Sequence, residues 1–427
     1  MPTFSVIIAE SLWEALNVFL TYWWFFLFFI LWPIFQALWV TYVQEKYIRK
    51  LKWNLLEVKV SAELEKRPKT MEEFFSGLAS NFETAIDTLY DVYLSGIVES
   101  WFSFEIISFE GDVHFYIRTP SMHRDVIESQ IYAEYPDAEI QEVEDYVTSI
   151  PDDVPSEDYD IWGTDMKLAK DSAYPIRTYK EFEDMASGDF IDPIGNIVEG
   201  VNKLGPGEQM WIQILVRPTD DGWKKVAQNT VLKLAGREVK GKPSGGFIQS
   251  LLKEMADLGK RIVFINPNLE SAGGEEKKTN DMPSMMLHLS SGERAIIDAI
   301  DEKMKKPGFE TDIRYIYSAR REIFNKGKAN AAFFSYFTQF GSDMLNRLVP
   351  DGKTKTSAYY FFPDARKAVK KKKILRKYKS RILDVKSYVL NSEELATLFH
   401  FPTIEVKGPI VPRVEAKKGK PPTTLPI

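Results

Sequence analysis

Apolar residues recur along this chain with three patterns. One stretch is apolar throughout. No charge occurs between Glu14 and Glu45, and the run NVFLTYWWFFLFFILWPIFQALWVTYVQ, residues 17–44, is predicted to form a transmembrane helix. A bilayer crossing takes roughly 20 apolar residues. Twelve of residues 18–43 are aromatic. Tyr22, Trp23 and Trp24 crowd one end of the run, Trp32 lies inside it, and Trp39 and Tyr42 mark the other end, as interfacial belts do. Pro33 is expected to kink the helix. Residues 1–16 form a short N-terminal interfacial segment in this reading.

Beyond residue 50, periods of two and of 3.6 take turns. LLEVKVSAE (55–63) alternates as a strand, and residues 72–94 carry apolar positions at helical spacing. FSFEIISFE and DVHFYIRTP flank Gly111 and Asp112 as a hairpin. SMHRDVIESQIYAEY reads as a helix with Ser121 as N-cap, and DAEIQEVEDYV as a strand. The order β-α-β-β-α-β over residues 50–150 is that of a ferredoxin-like split unit. A second α+β unit follows over residues 160–389, with mobile insertions near 236–246 and 265–285. HFYIRTPSMHRDVIESQI and IQILVRPTDDGWKKVAQN share a strand, an arginine, a proline turn and an amphipathic helix, which fits an internal repeat or only the shared grammar of strand–turn–helix units. Residues 390–427 comprise a short helix and a proline-rich tail. The fold class is therefore α+β, with one N-terminal transmembrane helix and two ferredoxin-like or α+β units.

Charge sets orientation. The N-terminal flank of the apolar run holds Glu10 and Glu14, whereas Lys46, Arg49, Lys50 and Lys52 follow it. Basic flanks stay cytoplasmic, so the N-terminus is expected outside and the soluble region inside an inner membrane. The net charge of −6 makes no global case for nucleic acid. The absence of cysteine excludes disulfides and thiolate chemistry. Residues 137–160 hold ten acidic residues and no basic one, and read as a solvated linker or an acidic docking surface. ARKAVKKKKILRKYKSR (365–381) holds ten basic residues and no acidic one. Its cations Lys370, Lys371, Lys372, Lys373, Arg376, Lys377, Lys379 and Arg381 suit DNA phosphates, anionic lipid, an acidic partner face, or a solvated helix face.

Catalytic signals are thin. In GREVKGKP, Gly236, Gly241 and Lys242 satisfy a P-loop, but Pro243 replaces the Ser or Thr that would hold magnesium. Gly236 reads as the C-cap of a helix. His114, His123, His288 and His400 have no metal-ligand spacing. No catalytic residue, metal or cofactor is predicted.

In LNSEELATLFHFP (390–402), Asn391 or Ser392 caps a helix whose apolar face carries Leu395, Leu398 and Phe399, and Pro402 stops it. This helix and the PPTTLP segment, with the order of DVHFYIRTPSMHRDVIESQIYAEYPDAEI, DPIGNIVEGVNKLGPGEQMWIQILVRP and KPGFETDIRYIYSARR, carry a family resemblance. The chain resembles a bacterial membrane-anchored domain of unknown function found upstream of, or encoded beside, coupling ATPases of conjugation and type IV secretion (the TraG/TraD and FtsK–HerA kind). The likeness extends to the N-terminal domains of those ATPases. In fused relatives the motor follows the proline segment, so the resemblance implies a motor that is either a separate ATPase partner or lies outside the sequence given. It implies a scaffold for DNA or protein translocation, a homo-oligomer in the assembly, and docking through Glu394, Leu395, Leu398, Phe399, His400, Phe401, Pro402 and the tail. A membrane-proximal nucleic-acid-binding protein and a structural ring subunit are the alternative readings.

Overall fold

The computed structural model describes residues 4–60, 67–82, 90–182, 190–235, 289–384 and 387–403. GREVKGKP, the 265–285 insertion, His288 and the tail from 404 lie outside these residues.

The chain divides into two compact units. In the first, helix α1 (Phe4–Ile48) runs through the predicted interfacial segment and the apolar run without a break, with Pro33 inside it. Ala37, Val40 and Val43 are buried, and Val40 packs with Val92. Val92 belongs to a π-helical turn, Asp91–Ser95, whose Tyr93 carbonyl accepts the Trp39 indole N–H at 2.8 Å. Gly96 closes this turn at φ +64°, and a Cβ there would stand 2.5 Å from the Val43 carbonyl, so only glycine fits. Among the described residues no helix is long and apolar enough to cross a membrane. The side chains of residues 25–30, in the middle of the apolar run, are not among them.

The second unit is α+β. Its first part runs β1 (Trp53–Lys59), α2 (Pro68–Phe82), β2 (Phe102–Phe109), β3 (Asp112–Pro120), α3 (Arg124–Glu134) and β4 (Glu139–Glu142). Its second part runs β5 (Tyr159–Leu168), α4 (Gly195–Val201), β6 (Glu208–Thr219), α5 (Gly222–Leu234), α6 (Ser291–Met304), β7 (Gly308–Arg320), α7 (Lys326–Thr338) and β8 (Leu348–Pro350). Helix α8 (Pro363–Ser380), β9 (Tyr388–Asn391) and α9 (Ser392–Leu398) complete it. The hairpin turn sits where the sequence places it, with Glu110 at φ 56° and Gly111 at φ 106°. Ser121 differs from its predicted role: it opens a 3-10 turn and makes no cap hydrogen bond.

All strands among the described residues join one sheet in the order β4-β1-β3-β2-β6-β7-β5-β8, and β9 lies along the start of β7. Every pairing is antiparallel. The order 4-1-3-2 of the first half is mirrored in the second, where β5, β6, β7 and β8 take the places of β1 to β4. The two predicted soluble units thus share one sheet, joined by β2 and β6 over Phe102–Phe109 and Gln209–Val216. The repeat is real in topology, but its register differs from the sequence likeness. β3 and α3 correspond to β7 and α7, whereas the similar segment of β6 and α5 occupies a different place.

Strand alternation sends side chains to two cores. Phe102, Phe104 and Ile106 of β2, with Ile212, Ile214 and Val216 of β6, face the larger one. Helices α2, α3, α4, α7 and α9 cover that face. Ile107, Tyr116, Trp211 and Ile316 face the other, under Ile374, Leu375 and Tyr378 of α8.

The largest correction concerns the predicted docking helix. Glu394, Leu395, Leu398, Phe399, His400, Phe401 and Pro402 are all buried. The Phe399 ring meets Phe104 and Phe115 of the first half at 5.2 and 5.9 Å, and the Leu398 carbonyl accepts the Tyr336 hydroxyl of the second. The apolar face that reads as a docking surface is satisfied within the chain. Phe399→Ala is therefore predicted to cost about 3–5 kcal/mol of stability in urea denaturation; an unchanged midpoint would refute this internal role.

Candidate functional site

Polar residues occupy interior positions of apolar strands on the α8 face. Cross-strand register aligns Glu105 of β2 with Gln213 of β6, Gln213 with Arg314 of β7, and Arg314 with Asp165 of β5. Glu105, Gln213 and Arg314 each sit between apolar neighbours, as in Phe-Glu-Ile and Ile-Arg-Tyr, and a polar or charged residue inside a strand of that kind is the signal that marks such a row. The sequence reading passed over it.

Arg381, just past the end of α8, completes the row. Its guanidinium grips both carboxylate oxygens of Glu105 at 2.7 and 3.0 Å, and those of Asp145 at 2.9 and 2.6 Å. Glu105 also accepts hydrogen bonds from Ser103, Tyr146 and Gln213. Burial alone raises the Glu105 pKa, but the Arg381 charge and the hydrogen bonds from Arg381, Ser103 and Tyr146 outweigh it and bring it to about 2. Arg381 itself stands at φ 50° in the left-handed region. The last carbonyls of α8 and those just beyond it meet buried donors: Gln213 and Arg314 reach Tyr378 and Lys377, Arg314 reaches Ile382, and Trp101 reaches Arg381. These bonds answer the unsatisfied carbonyls of a helix end, and the two arginines oppose its negative pole.

The basic and acidic runs neutralise one another. Lys371 pairs with Asp160, Lys379 with Asp152, and Arg381 with Asp145, so acids from the 137–160 linker meet cations of 365–381. Lys377 binds Asp165 and Asp384, and Lys370 donates to the carbonyls of Gly352, Lys355 and Ser357. Lys372, Lys373 and Arg376 face solvent, with no salt-bridge partner among the described residues. The predicted basic patch is thus split into an internal fastening and a smaller free stripe.

Around α9, Glu394 receives Lys303 at 2.9 Å, both side chains fully buried, and also binds the Ile176 amide. Asn391 is the cap, in a capping box with Glu394. His400 lies 2.8 Å from Asp192, which also accepts from Thr403 and the Ile194 amide. Burial raises the Asp192 pKa, and His400 and these donors lower it further, for a net decrease. His114 binds Glu57 at 2.6 Å and His123 binds Ser100 at 2.8 Å, in separate places. Among the described residues no cluster of His, Asp and Glu could hold a metal. An open depression of 580 Å³ lies between α4 and α7, where Glu199, Lys203 and Lys328 line its polar wall.

The predicted anchor residues on α1 are largely exposed: Trp24 is 60% exposed, and Tyr22, Trp23, Trp32, Trp39 and Tyr42 are comparable. Arg49 of the basic flank pairs with Glu45 at 2.6 Å.

Arg381→Ala leaves Glu105 without its counter-ion and is predicted to cost about 3–5 kcal/mol in chemical denaturation. Because the Glu105 pKa is depressed, its contribution is full above about pH 4.5 and is lost as pH falls toward 2. Asp312 has the opposite sign. Burial and the neighbouring Asp384 raise its pKa to about 6, against the pull of Arg314. Its relative stabilisation is full below about pH 4 and is lost as pH rises through 6. Asp312→Asn is predicted to stabilise the chain at pH 7, by up to about 3 kcal/mol, and to have no effect near pH 4. A pH-independent difference in unfolding midpoints would refute it.

No curated protein matches the chain. A family model does match, over residues 48–411, which is most of the sequence and all of the sheet unit from β1 onward. The chain therefore belongs to the DUF8128 family, a domain of unknown function.

Proposed function

We propose that this chain is a membrane-anchored scaffold whose sheet unit positions a separate coupling-type ATPase at the inner membrane. One observation carries the anchor: over Tyr22–Tyr42, the described aromatic side chains of α1 stay exposed, although they are apolar and numerous. Such a surface suits lipid far better than water. The charge-free run from Ala15 to Gln44 and the cations after it support a single span, N-terminus outside and sheet unit in the cytoplasm.

The ATPase half of the reading rests on the sequence resemblance. In this reading the two halves of the sheet stand for the N-terminal α+β units of the coupling ATPases. Since the side chains of 394–402 are buried, the proline-rich segment PRVEAKKGKPPTTLPI (412–427) takes over the docking role. A homo-oligomer around the motor is part of this proposal. The nucleic-acid reading of residues 365–381 is weakened, because Lys370, Lys371, Lys377, Lys379 and Arg381 are engaged within the chain.

Alkaline carbonate extraction of native membranes tests the anchor. The full chain is predicted to stay in the pellet, and its release to the supernatant would end the anchor reading. Co-purification in mild detergent tests the partner. A P-loop ATPase is predicted to come down with the full chain and to be lost on deletion of 412–427. Full recovery with the deleted chain would exclude the tail as the docking element.

A further inference from the structure

Tyr359, Tyr360, Phe361 and Phe362 stand 79, 74, 85 and 82% exposed, more than any other large apolar or aromatic side chain among the described residues. They occupy the turn that enters α8. Phe361 and Phe362 lie at φ 36° and 49°, in the left-handed region that bulky residues rarely adopt. Arg366 fastens the turn, its side chain donating to the Tyr360 carbonyl at 2.9 Å and its amide to the Phe362 carbonyl at 3.1 Å. The protrusion is thus a built feature of the fold.

Beyond it, Arg366, Val369, Lys373 and Arg376 recur at helical spacing on the outer face of α8, and Lys372 flanks them. Val369 is 66% exposed. The opposite face, Ile374, Leu375 and Tyr378, is buried in the sheet core, so the helix cannot turn its outer stripe inward. Asp364 is the one acid within α8, and it pairs with Lys367 at 3.2 Å.

We propose that the aromatic turn 359–362 and the outer stripe of α8 form a second membrane contact, specific for anionic lipid. Rings that gain nothing in water partition into the headgroup region, and cations behind them meet acidic headgroups. Charge complementarity sets the choice of occupant, because Arg366, Lys372, Lys373 and Arg376, which make no salt bridge among the described residues, lie on or beside this stripe. A single-stranded nucleic acid would be met by rings interleaved with the cations along a groove. Here the rings project together at one end of the stripe, and two of them are phenylalanines without a hydrogen-bonding group. The inference rests on reading α1 as the anchor.

The chain has no cysteine, so one introduced thiol can be labelled uniquely. Phe361→Cys and, separately, Leu38→Cys on α1 would carry an environment-sensitive fluorophore in the full chain. Each would be reconstituted in phosphatidylcholine vesicles with and without phosphatidylserine. The probe at 361 is expected to shift to the blue and to be quenched by spin-labelled lipid only when phosphatidylserine is present. Charge reversal of Lys372, Lys373 and Arg376 should weaken that partitioning by roughly fivefold per cation. If the probe at 38 reports lipid while the probe at 361 stays in water, this proposal fails and the anchor reading stands. If only the probe at 361 reports lipid, the anchor reading fails and the lipid contact stands. A response of the probe at 361 to single-stranded DNA, with none to phosphatidylserine, would overturn the proposal in favour of nucleic acid.

Discussion

The pairing of β2 with β6 is the constraint on which the sheet unit depends. A split βαβ sheet ordered 4-1-3-2 ends on its second strand, whose outer edge presents unpaired amides and carbonyls. An exposed edge of that kind recruits other chains. Here the second strand of each half closes the other, so both edges disappear into one eight-strand run. Both strands then become central, buried on two faces, and their sequences are correspondingly apolar. Everything else that crosses between the halves is built over this seam. On one face α9 lays Phe399 against Phe104, and on the other Arg381 holds Glu105.

The polar row under α8 shows why a buried charge there is tolerated. Taking Glu105 and Arg381 out of water costs several kcal/mol each unless the geometry is good and the remaining donors and acceptors are met. Both conditions hold: the pair is bidentate, and Glu105 has three further donors. The row also fixes direction, since at the end of α8 Arg314 donates to the Lys377 and Ile382 carbonyls while Arg381 holds Glu105. The stiff attachment of α8 in turn leaves one defined outer stripe, which is the surface with the best claim to an external role.

Much of the secondary structure is legible in the sequence. The hairpin at Gly111, the periodicity of α2 and α3, and the Asn-x-x-Glu cap of α9 each depend on residues within a few positions of one another. What escapes is set by distant partners. The acidic linker and the basic run read as two separate surfaces because Asp145 and Arg381 are 236 positions apart. The repeat reads one unit out of register because strand–turn–helix segments share a local grammar whatever their place in the sheet. Leu395, Leu398 and Phe399 read as a docking face because an amphipathic helix shows the same pattern whether its apolar side meets a partner or its own chain.

By itself the sequence determined the elements, the apolar run with its aromatic ends and basic flank, and the lack of cysteine chemistry. Those properties are local, fixed by backbone sterics, side-chain period and the free energy of moving apolar groups out of water. The tertiary structure decided which surfaces remain. It joined two predicted units through one seam, withdrew α9 into the core, matched acidic with basic residues and left Lys372, Lys373, Arg376 and the Tyr359–Phe362 turn outside. Those outcomes turn on which distant groups come within a few ångströms, where Coulomb attraction and packing act, and no window along the chain holds that information.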